Sequence, residues 1–172
     1  MKKSDINPMP PFFDRYINLV EDLDIFEAFN QYSPETVYGD LAKLKELGNK
    51  IYAEDKWTVK DILQHVIDNE RIMSYRALRF SRNDQTTLPG YDEQVFGANT
   101  MADQRTIDDL MEEFKTVRLA TIALFRNMDE TMIVRLGIAY QTQISPLALG
   151  FVILGHPVHH MNVIRERYYS LL

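Results

Sequence analysis

The chain has 172 residues, a net charge of −6 and 45% hydrophobic residues, which suits a single globular domain over residues 1–172. It contains no cysteine, which excludes disulfides, thiolate nucleophiles and sulfur metal ligands. The acidic balance argues against nucleic acid as a partner. The N-terminus lacks an apolar signal region, and no run approaches the roughly 20 apolar residues of a membrane span. We therefore expect a cytoplasmic protein with no membrane partner.

The first predicted elements lie in residues 1–32, an N-terminal add-on segment. Three prolines, Pro8, Pro10 and Pro11, block regular structure at its start. Apolar residues then recur at helical spacing in two short stretches, the second ending near Gln31. We predict two short helices here.

Four longer helices are predicted from their start signals. Ser33-Pro34 and Ser145-Pro146 each place an N-cap serine before a proline at the first helical position. Thr58 and Thr106 each stand three residues before an aspartate, which resembles a capping box. Apolar residues repeat at three- and four-residue intervals after each signal. The predicted helices span about residues 34–51, 58–82, 106–125 and 145–168.

Two connections between these helices are unusual. Residues 83–105 form a long segment containing Leu88-Pro89-Gly90-Tyr91-Asp92, and loops of that length are often functional lids or crossovers. Residues 133–144 are rich in β-branched side chains and contain a glycine, which fits a small hairpin before the last helix. The overall prediction is an all-α four-helix bundle with small additions.

The histidines are the strongest candidates for chemistry. Residues four apart on an α-helix point within about 40° of one another and are separated by about 6 Å, so His156 and His160 face the same way. Both share a stripe with apolar residues, as does His65 on helix two, so all three should face the interior. Bundles commonly build metal sites from such residues. The alternative is a set of core histidines that form hydrogen bonds with other polar groups.

The fourth histidine, His159, lies at the edge of the same stripe, about 60° from His156. It could be a fourth ligand, a proton carrier beside the ligands or an interface residue, and we favour the last two. Pro157 adds a complication, because proline inside a helix removes one backbone hydrogen bond and crowds the preceding turn. A kink there could open the site or spoil it.

Three further residues are candidates for substrate contacts. Arg76 and Arg167 lie near the stripes that carry the histidines, and inward arginines must be paired or must face a cavity. They could recognise an anionic cosubstrate or form ion pairs, for which the candidate partners are Glu70, Asp92 and Glu166. Asn69, one turn from His65, could orient a ligand or a water, or could make a structural hydrogen bond.

Several motifs occur in an order and spacing that resemble the DinB-like family. The resemblance covers about residues 34–169 and rests on Trp57-Thr58-x-x-Asp61-Ile62-Leu63-x-His65, Asp68-x-Glu70-Arg71, Tyr75-Arg76-Ala77-Leu78-Arg79, Leu88-Pro89-Gly90-Tyr91-Asp92, Gly155-His156-x-x-His159-His160 and Arg165-Glu166-Arg167-Tyr168. It implies a four-helix bundle in up-down-down-up order with the long crossover after helix two. Pro157 departs from the family pattern, in which a helix-forming residue is usual.

The resemblance also implies a function. Family members often bind zinc or nickel through one histidine of helix two and an HxxxH pair of helix four, which correspond here to His65, His156 and His160. Many members are homodimers, and characterised relatives include thiol-dependent transferases that use bacillithiol or mycothiol and a maleylpyruvate isomerase. This chain has no cysteine, so a low-molecular-weight thiol would have to come from a cosubstrate.

Two hypotheses of different kinds follow. The first is a metal-dependent enzyme, a thiol-dependent S-transferase or a hydrolase, that acts on a small molecule. The second is a non-catalytic bundle that binds a metal or a ligand, in which Pro157 has impaired the site. Access to the metal distinguishes the two hypotheses, because an enzyme needs an open coordination position beside a cavity.

Overall fold

The computed structural model describes all residues, 1–172, and is mostly helical. Its helices and strands, in chain order, are α1 (Asp14–Ile17), α2 (Ile25–Gln31), α3 (Pro34–Val37), α4 (Leu41–Leu47), α5 (Val59–Ser81), α6 (Glu93–Ala98), α7 (Ile107–Phe125), α8 (Glu130–Ile133), β1 (Gly137–Ala139), β2 (Thr142–Ile144) and α9 (Pro146–Arg167). Three short 3₁₀ helices complete it, at Lys3–Asp5, Ala102–Gln104 and Tyr169–Leu171. The bundle has four members: the first bundle helix, which is formed by α3 and α4 together, and then α5, α7 and α9.

The predicted start signals all cap helices. In each case the side-chain oxygen accepts a hydrogen bond from the backbone N–H three residues later, as seen at Ser33, Thr58, Thr106 and Ser145. These bonds satisfy backbone donors that the first turn of a helix leaves free. At Thr58 the capping box is complete, because Asp61 accepts the backbone N–H of Thr58 at 2.9 Å.

The first bundle helix is broken, and the prediction of one helix over 34–51 was wrong. It is interrupted between α3 and α4 because Asp40 caps a new helix, accepting the backbone N–H of Lys43 at 3.3 Å. The second piece ends at Leu47 because Gly48 adopts a φ of 55°, a conformation that glycine reaches without steric cost. Residues 49–51 therefore lie outside the helix.

Side-chain contacts give the directions of the helices. Along α5, residues of increasing number form hydrogen bonds with residues of increasing number in and just before α7, so the two helices are parallel. These pairs are Gln64–Arg105, Glu70–Arg118 and Ser74–Thr121. Helices α5 and α9 are antiparallel, because their contacts pair rising residue numbers with falling ones, as in Trp57–Tyr168 and His65–His156. The first bundle helix is antiparallel to α7, with ion pairs Glu35–Lys115 and Lys45–Asp108. This is the up-down-down-up order.

The long crossover between α5 and α7 is partly ordered by the hairpin. It contains α6 and a 3₁₀ turn, and Leu88 exchanges backbone hydrogen bonds with the hairpin, from its N–H to the carbonyl of Ile138 and from the N–H of Tyr140 to its carbonyl. The hairpin is the predicted one, with β1 and β2 antiparallel. The segment around Pro89 and Tyr91 is thus held against the bundle.

The apolar core has two parts. One buried cluster combines the N-terminal segment, the end of α5 and the first half of α9, and the other combines the start of α5, the start of α7 and the end of α9. Buried polar side chains of the helices lie between them, chiefly His65, Asn69, Glu70, Arg118 and His156. This polar layer is where the candidate site lies.

The last helix is the most apolar of the three long helices. Together with the residues after it (Pro146–Leu171), it is long and apolar enough to cross a membrane, which corrects the prediction that no segment approaches that length. However, 72% of its most apolar window is buried inside the bundle. We interpret it as a core helix, packed on α5 and on the N-terminal helices.

Candidate metal centre

Three histidines meet in the buried polar layer. The Nε2 atom of His156 lies 3.1 Å from Nε2 of His65 and 3.0 Å from Nε2 of His160, and the three ligand nitrogens lie within 4.8 Å of one another. His65 sits in the second turn of α5 after the Thr58 cap, whereas the other two lie one turn apart on α9. The antiparallel packing of α5 and α9 brings them to the same level.

Burial keeps these imidazoles neutral. Loss of solvation, followed by the charges of neighbouring histidines, lowers the pKa of His65 to about 4 and that of His160 to about 3. The pKa of His156, which is 4% exposed, is also well below its usual value for the same reasons. A neutral imidazole has a free lone pair, which is the form that binds a metal.

The arrangement fits a divalent cation. Ligand nitrogens about 2.05 Å from a tetrahedral metal are about 3.3 Å apart, close to the spacing observed. Three Nε2 atoms cannot all be satisfied by hydrogen bonds with one another, but one cation would satisfy all three. The buried Nδ1 of His156 has no hydrogen-bond partner in the protein, so the Nε2 side carries all the polar contacts of this ring.

A groove opens the cluster to the outside at His160. Its volume is about 320 Å³. It is lined by Tyr52, Asp55, Lys56, Trp57, Ile62, Gln94, His160, Val163 and Tyr168. The Trp57 ring lies 4.9 Å from the His65 ring, and Gly97 of α6 also packs against the Trp57 ring. A small molecule in the groove would therefore reach the histidines between aromatic walls.

Pro157 lies inside α9, which continues without interruption to Arg167. The helix does not restart at the proline, and His156 and His160 point to the same place. The phenol of Tyr38 donates to the carbonyl of Pro157 at 3.4 Å, so a buried side chain from the first bundle helix supports this turn.

The fourth histidine lies outside the cluster of three. His159 is partly buried, and its ring lies 5.1 Å from that of His160 and 5.4 Å from that of Tyr16. The Tyr16 ring also meets His156 edge to face at 5.1 Å. Tyr16 belongs to the first short stretch of apolar residues at helical spacing, and nothing in that local pattern indicates this contact.

The remaining candidates separate into two groups. Asn69 donates to the phenol of Tyr91 at 2.8 Å, while its Oδ1 is buried without a partner. Arg76 is 5% exposed and donates to the carbonyl of Pro89 at 2.9 Å. Arg167, by contrast, is exposed and contacts Tyr52; the expectation that it faces inward was wrong, because in the last turn of α9 its side chain lies at the surface.

The ion pairs suggested for the arginines do not form. Glu70 instead holds Arg118 in a bidentate pair, with Nε–Oε1 and Nη2–Oε2 both at 2.9 Å and both side chains almost fully buried. Asp92 caps α6 by accepting backbone N–H groups. The sequence analysis missed Arg118, although an arginine on the apolar face of a predicted helix was a visible signal.

Comparisons with known proteins agree with this architecture. The sequence model of the DinB superfamily matches residues 39–164. The fold is similar to that of YfiT from Bacillus subtilis, described as a probable metal-dependent hydrolase with an unusual four-helix bundle topology, with a TM-score of 0.69 and 14% identity over 92% of this chain and 87% of YfiT. A search of curated proteins finds no match. On the extent of the sequence match, the chain belongs to the DinB superfamily.

Proposed function

We propose that the protein is a metal-dependent hydrolase that acts on a small molecule. The observation that carries the proposal is the convergence of three neutral Nε2 atoms beside an open groove. The description of YfiT as a probable metal-dependent hydrolase, on the same fold, supports it. His65, His156 and His160 would hold zinc or nickel.

The chemistry follows from the ligand set. A divalent metal held by three imidazoles lowers the pKa of a water or thiol that takes an open position. The chain's own residues would admit the substrate and orient it. Trp57 and His160 border the groove through which the substrate arrives. The unpartnered Oδ1 of Asn69, one turn from His65, can accept a hydrogen bond from a group at the centre.

Two alternatives remain within the proposal. A thiol-dependent S-transferase would use the same centre with a low-molecular-weight thiol, which the family resemblance supports. A non-catalytic metal- or ligand-binding bundle would keep the histidines, and a purely structural metal in it would need no open coordination position. The groove beside His160 favours an enzyme.

The family resemblance further supports a homodimer. The net charge of −6 and the burial of α9 support an assignment to the cytoplasm without nucleic-acid or membrane partners.

The proposal is tested by metal content and by activity together. Metal-free protein reconstituted with zinc or nickel should retain about one equivalent per chain. His160→Ala should retain much less, because two ligands hold a metal far more weakly than three. His159→Ala, on the adjacent residue, is the matched control and should bind as the wild type does. Equal metal in the wild type and His160→Ala would remove His160 from the site.

Activity then separates the chemistries. The zinc-loaded and nickel-loaded proteins should hydrolyse members of a panel of small esters, amides and lactones, and the metal-free protein should not. A panel of thiols with an electrophile tests the transferase. Metal-bound protein without turnover in either panel would favour the non-catalytic bundle.

A further inference from the structure

The two buried arginines of the bundle have different surroundings. Arg118 is 3% exposed and is neutralised by Glu70 in a bidentate pair. Arg76 is 5% exposed, yet it takes part in no ion pair. A charge removed from water without a counter-charge is unfavourable, and such groups normally find one. The counter-charge of Arg76 is therefore missing from this chain.

The partners that Arg76 does have leave most of its donors unused. Of the five N–H groups of a guanidinium, one donates to the carbonyl of Pro89 at 2.9 Å and another approaches the sulfur of Met73 at 3.5 Å. Burial lowers the pKa of Arg76, which the nearby Tyr91 partly offsets. A guanidinium with free donors matches a carboxylate in both charge and shape.

Arg76 cannot easily move away from this position. The loop over it is fixed by the backbone hydrogen bonds of Leu88 with the hairpin, and Gly90 lies against the ring of Tyr140. The contact with Met73 shows that the side chain leans back along α5 towards the histidines, as helical side chains do. The guanidinium is therefore held beneath the crossover on the inner side.

A polar path connects Arg76 with the histidine cluster. His65 and Arg76 are three turns apart on α5 and point within about 20° of each other, with Asn69 between them. Asn69 donates to Tyr91, and Tyr91 lies close enough to both Arg76 and Tyr16 for their charges to influence its pKa. Tyr16 in turn contacts His156. The path contains one unpartnered acceptor, Oδ1 of Asn69.

We propose that Arg76, assisted by Tyr91, binds a carboxylate of the substrate on the crossover side of the histidine cluster. This rests on the proposed function and narrows its substrate class to small carboxylic acids. At a rise of about 1.5 Å per residue, Arg76 lies about 16 Å along α5 from His65. The side chain of Arg76 leans back towards the histidines, which shortens this span, but the carboxylate still belongs to the far end of the substrate from the bond that reacts, as in an N-acylated tripeptide.

The test uses pairs of probes that differ only in charge. Hippuryl-glycyl-glycine and N-acetyl-leucyl-glycyl-glycine are compared with their neutral C-terminal amides by calorimetry on the zinc-loaded protein. We expect each acid to bind the wild type at least tenfold more tightly than its amide. Arg76→Met, which keeps the length and removes the charge, should abolish the preference. Arg79→Gln, on the same helix and outside the path, should retain it.

The contrary results are equally defined. No preference in the wild type, or a preference that survives in Arg76→Met, overturns the proposal. Phenyl phosphate binding tenfold more tightly than both acids would overturn the carboxylate assignment in favour of phosphate. If Arg76→Met does not fold, Tyr91→Phe carries the test, with weaker binding of the acids and unchanged binding of the amides expected.

A purely structural role for Arg76 is distinguished by stability. If the residue only anchors the loop through Pro89, Arg76→Met should lower the melting temperature by several degrees. If it binds substrate, removal of an uncompensated charge should leave the melting temperature unchanged or higher.

The metal is measured separately in every variant. Zinc binding without acid preference refutes the carboxylate site and leaves the proposed function standing. If reconstitution loads no zinc, the same comparison is made on the protein as purified, and an acid preference that depends on Arg76 then refutes the metal function and leaves the carboxylate site standing.

Discussion

At the scale of single residues, the centre is built from groups that the fold holds in their uncharged form. His65 and His156 are each less than a tenth exposed, and no carboxylate lies in the cluster of candidate ligands. Nothing in the protein therefore favours their protonation. The same burial that prepares them to bind a cation makes the metal-free protein sensitive to acid.

The first prediction concerns that sensitivity. The pKa values of His65 and His160, about 4 and 3 in the folded state, lie below the unfolded value near 6.5. Between these values the unfolded chain binds more protons, so stability is complete above pH 6.5 and is lost as the pH falls towards 4 and 3. Metal-free protein should lose roughly 2 kcal/mol per histidine between pH 7.5 and pH 5.

Urea titrations of the metal-free protein at the two pH values measure this loss. The double variant His65→Gln/His160→Gln is the control and should show a smaller difference between them. A wild type equally stable at pH 5 and pH 7.5 would contradict the depressed pKa values.

The sequence predicted the inward direction of these residues but not their partners. His65, His156 and His160 could be placed because helical periodicity fixes direction within one element. Whether Arg76 or Arg167 meets a carboxylate depends on how loops and helix ends pack, which periodicity does not contain. Glu70 illustrates the point, since its partner Arg118 lies on another helix.

At the scale of elements, α9 carries two features that a helix normally avoids. Pro157 removes a backbone N–H from its interior, and Gly155 stands immediately before His156. Both are next to the candidate ligand, and both are buried. The sequence showed that Pro157 departs from the family pattern. The reason for Gly155 is visible only in the structure, where α1 packs closely on α9 at this residue.

Pro157→Ala should stabilise the protein and weaken the metal centre. Alanine restores the hydrogen bond to the carbonyl of Ile153, and proline in a helix interior costs about 3 kcal/mol, although loss of the buried ring offsets part of the gain. Because the nitrogens already converge with proline present, any straightening moves His156 relative to His160. Melting temperature and zinc affinity should therefore change in opposite directions; a rise in both would show that the proline impairs the site.

Gly155→Ala should be destabilising for a steric reason. An added Cβ would lie 1.9 Å from the backbone oxygen of Tyr16, so α1 must move away from α9. Overpacking costs about 1–3 kcal/mol, more than the roughly 1 kcal/mol that alanine gains over glycine in a helix. Gly39→Ala, where the nearest atom would be at 3.4 Å, is the control. Equal stability of the two variants in denaturant melts would refute the close approach.

At the scale of the whole molecule, the N-terminal segment forms part of the core. Ile17 and Ile25 are fully buried in the same apolar cluster as the first half of α9. Caps and apolar spacing predicted the four helices, the β-branched segment predicted the hairpin, and the family resemblance implied the order of the helices. They did not indicate that residues 1–32, described from sequence as an add-on, cover one face of the most apolar helix, because short helices have little pattern of their own.

The last prediction follows from that cover. Deletion of residues 1–32 should expose apolar surface along α9 and remove Tyr16 from His156 and His159, so the truncated chain should aggregate or lose cooperative unfolding. Point variants make the test quantitative. Ile17→Ala, at a position with no exposure, should cost about 2–5 kcal/mol. Leu19→Ala, two residues away and 37% exposed, should cost much less. A truncated protein that unfolds cooperatively at the wild-type temperature would show that residues 1–32 are separable, and that the bundle from residue 33 onwards is the complete folding unit.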